Sequence, residues 1–129
     1  RGGKTPNYDA ASVDGVCAQL KNAKVAERLM IDVSHGNSSK RPENQPIVAA
    51  DIAQRIAQGE SRITGLMVES HLQAGRQDLQ PGRKLVYGKS ITDGCIDWET
   101  SVTLLESLAQ AVAQRRELHR GVARAALAS

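Results

Sequence analysis

The chain has 129 residues, 40% of them hydrophobic and 24% charged, which is enough apolar material for one domain with a core of useful size. Its net charge of +3 comes from interspersed charges of both signs and its aromatic fraction is 2%, a pattern that argues against a nucleic-acid partner. Cys17 and Cys95 lie far apart in no paired motif, no apolar run approaches the roughly 20 residues needed to span a bilayer, and no signal-peptide pattern is visible; the expectation is a soluble, cytoplasmic protein with reduced thiols and no membrane partner.

Residues 1–7 carry Gly, Pro and Asn and read as a loop. The opening Arg1-Gly2-Gly3-Lys4 has no initiator methionine, and the chain is expected to be a piece of something longer. From Asp9 the spacing of Ala10, Val13, Val16, Cys17 and Leu20 predicts an amphipathic helix to about Ala23, with Asp9 or Ser12 as its cap. Cys17 on that helix reads as core. An apolar strand is predicted over Arg28–Val33, ending in the small, polar run 34–40.

A second helix is predicted over Gln45–Gln58, built on Ile47, Val48, Ala50, Ile52 and Ile56 and stopped by Gly59. A second apolar strand, Ile63–Val68, follows and leads into Glu69-Ser70-His71. Residues 73–84 read as a long loop, and Lys84–Ile91 as a third strand leading into Thr92-Asp93-Gly94. The last stretch, Trp98 to about Ala126, reads as a long helix with Arg115, Arg116 and Arg120 late in it, where cations suit the macrodipole. Continuous apolar strands alternating with helices point to the α/β class with a parallel sheet covered on both faces.

The three predicted strands share one feature: each ends in a potential metal ligand, His35, Glu69 or Asp93. In parallel α/β folds the loops at the C-terminal strand ends converge on one face, so neighbouring strands would aim these side chains at one spot. One imidazole nitrogen with two carboxylate oxygens suits a divalent Mn, Fe, Co or Zn ion better than Ca²⁺. His71, two residues past Glu69, is a candidate partner for a metal-binding side chain, although a satisfied loop histidine is the simpler reading, and His119 reads as solvated. Lys40 and Lys89 lie close enough to strand ends to meet phosphate, although a solvated loop lysine is the simpler reading. Cys95, two residues past Asp93, lacks the paired motif of a metal cysteine.

Four long strings carry a resemblance. Arg1-Gly-Gly-Lys4, Met30-Ile-Asp-Val-Ser-His-Gly-Asn-Ser-Ser-Lys40, Gly65-Leu-Met-Val-Glu-Ser-His-Leu72 and Tyr87-Gly-Lys-Ser-Ile-Thr-Asp-Gly-Cys-Ile-Asp-Trp98 resemble, in order, successive motifs of the type I 3-deoxy-D-arabino-heptulosonate-7-phosphate (DAHP) synthases. The resemblance runs from Arg1 to about Arg116.

It implies that residues 1–129 are the C-terminal segment of a single TIM (β/α)₈ barrel, covering roughly its last three strands, with the N-terminal part absent. It further implies a cytoplasmic, homo-oligomeric transferase that condenses phosphoenolpyruvate with erythrose 4-phosphate and releases phosphate, the first step of the shikimate pathway to aromatic amino acids. The family's divalent metal is held by a cysteine from an early strand together with a His, a Glu and an Asp; the last three fall on His35, Glu69 and Asp93. Arg1 matches an arginine that contacts phosphoenolpyruvate, a task suited to its two-pronged guanidinium. The cysteine ligand and most of the phosphate-binding cations would lie outside this chain.

Two other readings stand beside this one: a different metal-dependent barrel, such as an aldolase or phosphohydrolase, and a non-catalytic folding or interaction module. An incomplete barrel is expected to leave at least one sheet edge and part of the apolar layer of Leu29, Ile31, Val33, Leu66 and Val68 open to water.

Overall fold

A computed structural model describes residues 1–127. The elements, in chain order, are α1 (Ala10–Asn22), β1 (Leu29–Asp32), a single 3₁₀ turn (Pro42–Asn44), α2 (Gln45–Ala57), β2 (Ile63–Met67), β3 (Gln73–Arg76), β4 (Lys89–Ser90) and α3 (Trp98–Leu127). No helix among the described residues is long and apolar enough to cross a membrane.

Local chemistry explains the helix ends. Asp9 caps α1, its Oδ1 accepting the Ser12 N–H at 2.9 Å and its Oδ2 the Ser12 hydroxyl at 2.6 Å. Beyond α2 the chain turns through Gly59 at φ +110°, a conformation that glycine adopts without steric cost. Asp97 starts α3, accepting the Thr100 N–H at 2.9 Å.

β1 and β2 pair in parallel, with Met30 opposite Gly65, Ile31 opposite Leu66 and Asp32 opposite Met67. The core lies on one face of this pair. It joins Val13 and Cys17 of α1, Ile31 and Val33, the α2 stripe Val48, Ala49, Ile52, Ala53 and Ile56, and Leu104 and Ala111 of α3. The α2 stripe is shifted from the predicted one, since Ile47 and Ala50 face outward while Ala49 and Ala53 face in.

The apolar layer is covered in part: Ile31 and Val33 are buried, while Leu29, Leu66 and Val68 pack against the core and stay partly exposed. Strand alternation gives the reason. The residues with the helices on their side are the apolar ones, so the opposite face carries Met30, Asp32, Gly65 and Met67, and Met30 is 71% exposed.

The third strand also differs from expectation. Only Lys89 and Ser90 of the stretch 84–91 are extended and paired, and they pair with β3, inside what reads as a loop, in a sheet separate from β1–β2. The apolar residues Leu85, Val86 and Tyr87 are exposed, so no burial draws them into a strand. The place beside the end of β2 is taken by Ile96, whose N–H donates to the Glu69 carbonyl and whose carbonyl accepts from the His71 N–H, both at 3.0 Å.

Candidate metal centre

His35, Glu69 and Asp93 meet although they lie on three separated stretches of chain. His35 Nε2 is 3.5 Å from Glu69 Oε1 and 3.6 Å from Asp93 Oδ2, and the three potential donor atoms all lie within 4.8 Å of one another. His35 and Glu69 are half-buried and Asp93 is exposed.

Each is positioned differently. His35 follows β1 and sits at φ +45°, a left-handed conformation in which His is enriched among non-glycine residues. The loop after it folds tightly, with the Lys40 N–H donating to the His35 carbonyl at 2.8 Å and the Ser38 N–H to the Ser34 carbonyl at 3.1 Å. Strain of this kind persists only where surrounding contacts hold it. Glu69 follows β2, its backbone held by Gln45 and Ile96. Asp93 lies in the turn after β4, where the Ser90 hydroxyl accepts the Thr92 N–H at 3.2 Å.

Asp32 is the site residue that sequence reasoning missed. It is 9% exposed, and its Oδ2 lies 2.8 Å from His35 Nδ1 while its Oδ1 accepts the Ser34 N–H at 2.8 Å. A carboxylate in an otherwise apolar strand was the available signal, because a buried charge requires partners.

Arg1 reaches the same neighbourhood, with its Nε 4.0 Å from Asp32 Oδ2. Buried Asn37 ties the two stretches together: its Nδ2 donates to the Asp32 carbonyl at 2.7 Å, its Oδ1 accepts the Asn7 N–H at 2.8 Å, and Asn7 Oδ1 accepts the Gly2 N–H at 2.9 Å. Gly2, at φ +73°, runs so close to Asn37 that a Cβ would fall 2.7 Å from its backbone nitrogen, which accounts for a glycine beside Arg1.

A cavity of about 220 Å³ opens over the cluster, lined by Arg1, Ser34, His35, Lys40, Asp93 and Gly94 among others. Larger hollows border α3, on the Pro46 and Ala49 side of α2 and beside Leu118 and Val122, but among the described residues no cluster of metal-ligating groups opens into them. Lys40 thus stands at the cavity, whereas Lys89 lies over Gly75. His71 is exposed, its Nδ1 accepting the Leu72 N–H at 2.8 Å, and His119 is exposed on α3.

Cys17 is buried in the core as expected. Burial pushes the Cys95 thiol up from its ordinary pKa, with the carboxylates of Glu69 and Asp93 adding to the effect, and its Sγ lies 3.6 Å from the Asp93 carbonyl oxygen.

The donor set suits a divalent ion. Two ligands about 2.1 Å from one ion at a tetrahedral angle lie about 3.4 Å apart, close to the spacings of His35 Nε2 from the two carboxylates. Imidazole with carboxylates fits a transition metal and leaves coordination positions for further ligands.

Comparison with known proteins agrees with the motifs. Residues 1–106 match the DAHP synthetase I family. The tyrosine-inhibited phospho-2-dehydro-3-deoxyheptonate aldolase of Schizosaccharomyces pombe is 52% identical over 122 residues, covering 91% of this chain and 33% of its own length. The Phe-sensitive enzyme of the same name from Escherichia coli is 53% identical over 116 residues, covering 90% of this chain and 33% of its own. The structure of the Francisella tularensis phospho-2-dehydro-3-deoxyheptonate aldolase superposes with a TM-score of 0.85 at 46% identity, covering 89% of this chain and 33% of that one. This chain therefore spans about a third of the length of the relatives it matches. With a family match over residues 1–106 and about half the residues identical to named members, the chain belongs to the DAHP synthetase I family.

Proposed function

We propose that residues 1–129 are the C-terminal segment of a single (β/α)₈-barrel domain, and that the whole protein is a DAHP synthase condensing phosphoenolpyruvate with erythrose 4-phosphate. The observation that carries this is the convergence of His35 Nε2, Glu69 Oε1 and Asp93 Oδ2 in a chain of this family. The reading makes these three side chains ligands of a divalent Mn, Fe, Co or Zn ion. A fourth ligand, a cysteine from an earlier strand, would come from outside this segment.

The bound ion would supply Lewis-acid polarisation of the aldehyde of erythrose 4-phosphate. The chain's own residues do the rest of their work by placement. Arg1 holds phosphoenolpyruvate through a charge-assisted, two-pronged contact and neither donates nor accepts the proton, since guanidinium does not deprotonate in proteins. Lys40, on the wall of the same cavity, adds positive charge where an anionic substrate would lie. The exposed face with Met30 would be the barrel interior, filled by side chains of the remaining strands. Homo-oligomeric assembly and a cytoplasmic location go with this reading, the latter supported by the free thiols of Cys17 and Cys95.

The test is release of inorganic phosphate from phosphoenolpyruvate, dependent on both erythrose 4-phosphate and a divalent metal, by the complete protein. Activity with another aldehyde and none with erythrose 4-phosphate would favour a different barrel aldolase. The 129-residue chain alone should be inactive and should gain activity only with the rest of the barrel.

A further inference from the structure

We propose that Asp32 is a positioning residue that decides which ring nitrogen of His35 carries the proton, and so whether the cluster can take a metal. The inference rests on the metal-centre reading above. A carboxylate offers only acceptors, and both Asp32 oxygens are engaged, Oδ1 by the Ser34 N–H and Oδ2 by His35 Nδ1, each at 2.8 Å. Nδ1 must therefore be the protonated nitrogen of the neutral ring. The lone pair is left on Nε2, the nitrogen that lies 3.5 and 3.6 Å from Glu69 and Asp93. An imidazole ligand needs that lone pair free, and the partner of its other nitrogen sets both tautomer and ring orientation.

Asp32 is itself held in place. It is 9% exposed, Asn37 donates to its carbonyl, and Arg1 Nε lies 4.0 Å from Oδ2. One carboxylate thus touches His35 on one side and faces Arg1 on the other, linking the candidate metal centre to the candidate substrate arginine.

The informative substitution is Asp32→Asn. An amide has the carboxylate's shape but a single acceptor, and it must serve two donors. Turned one way, its NH₂ faces Nδ1, which must then offer a lone pair, and the ring proton moves to Nε2 where it blocks the metal. Turned the other way, it leaves the Ser34 N–H without an acceptor. The first orientation changes the His35 tautomer and the second removes the acceptor of the neighbouring Ser34 N–H, while both leave the three candidate ligands in the chain.

The experiment labels histidine with ¹⁵N in the complete, metal-free protein, assigns the His35 signals by difference with His35→Gln, and reads the tautomer at a pH where the ring is neutral. Wild type should show the Nδ1–H form, and Asp32→Asn and Asp32→Ala should show the Nε2–H form or a mixture. In parallel, titration with Mn²⁺ against a fluorescent chelator should show affinity falling about 10- to 100-fold in both variants, the usual effect of removing an outer-shell partner. A wild-type ring in the Nε2–H form, or unchanged tautomer and unchanged Mn²⁺ affinity in the variants, would overturn the proposal. The wild-type spectrum decides even if a variant fails to fold. If instead His35→Gln binds Mn²⁺ as well as wild type, it is the metal-centre reading that fails, while the tautomer measurement still reports on Asp32.

Discussion

Gln45, wholly buried at the start of α2, grips the backbone of Glu69 as a neighbouring strand would: its Oε1 accepts the Glu69 N–H at 2.8 Å and its Nε2 donates to the Glu69 carbonyl at 3.0 Å. Helix and candidate ligand are thereby locked together across 24 positions of sequence. Gln45→Leu should leave the part-buried Glu69 N–H without its acceptor, while the carbonyl keeps the Ile96 N–H. The expected cost is about 1–3 kcal/mol in urea unfolding. Divalent-metal affinity should fall with it, because Glu69 loses its fixed backbone. Unchanged stability would show that Gln45 is not the clamp its geometry describes.

Glu69→Gln and Asp93→Asn each remove one anionic donor without changing side-chain shape. In the complete protein each should lower metal content and reduce turnover by about 100-fold or more, a larger effect than loss of an outer-shell contact. Neither should weaken the fold, since Asp93 is 67% exposed and both carboxylates point at each other's surroundings rather than at the core. Metal analysis, steady-state kinetics and circular dichroism together check this. Wild-type turnover after chelation in either variant would remove that residue from the ligand set.

In the complete protein, Arg1→Lys should discriminate between the two proposed substrates. A lysine ammonium is a point charge and cannot reproduce a planar two-pronged contact to a phosphate or carboxylate. Losing one charge-assisted hydrogen bond costs about 1.5–3 kcal/mol, and KM for phosphoenolpyruvate should rise roughly 10-fold or more while that for erythrose 4-phosphate changes little. Equal effects on both substrates would count against the assignment.

What could be read from the sequence follows physical lines. β1 and β2 were legible because Leu29–Asp32 and Ile63–Met67 are short apolar runs bounded by polar ones, and the candidate ligands His35 and Glu69 stood out because they follow such runs. The third strand was not, because Leu85, Val86 and Tyr87 are apolar yet exposed, and periodicity cannot report burial that tertiary structure fails to supply. Asp93 reached the cluster all the same, carried by a turn and by the Ile96 pairing beside Glu69. Asp32 and Gln45 were hidden for another reason: each acts through one specific partner, and no spacing rule anticipates a side chain that caps a ring nitrogen or imitates a strand.

The last prediction concerns acid stability at the opposite end of β2, where Glu60 and Arg62 flank the strand's start. Arg62 donates to Glu60 through Nε at 2.9 Å and Nη2 at 2.6 Å and reaches Asp14 of α1 at 2.7 Å, while Arg115 of α3 donates to the Glu60 carbonyl at 2.8 Å. One small network therefore joins β2 to two helices. The Arg62 guanidinium hydrogen bond holds the Glu60 carboxyl down from 4.5 to about 2. Because the folded-state value is depressed, the stabilisation is fully present above the unfolded value near 4.5 and is lost as pH falls toward 2. Arg62 is partly exposed, so solvent screening reduces the contribution to on the order of 1 kcal/mol. Urea unfolding between pH 6 and pH 2 should thus show Glu60→Gln less stable than wild type at about pH 6, with the gap closing in the acid range. Arg62→Met should remove the same pH-dependent component and add the loss of its Asp14 contact. A gap between Glu60→Gln and wild type that persists undiminished at the lowest pH would mean that the network acts through packing rather than through charge.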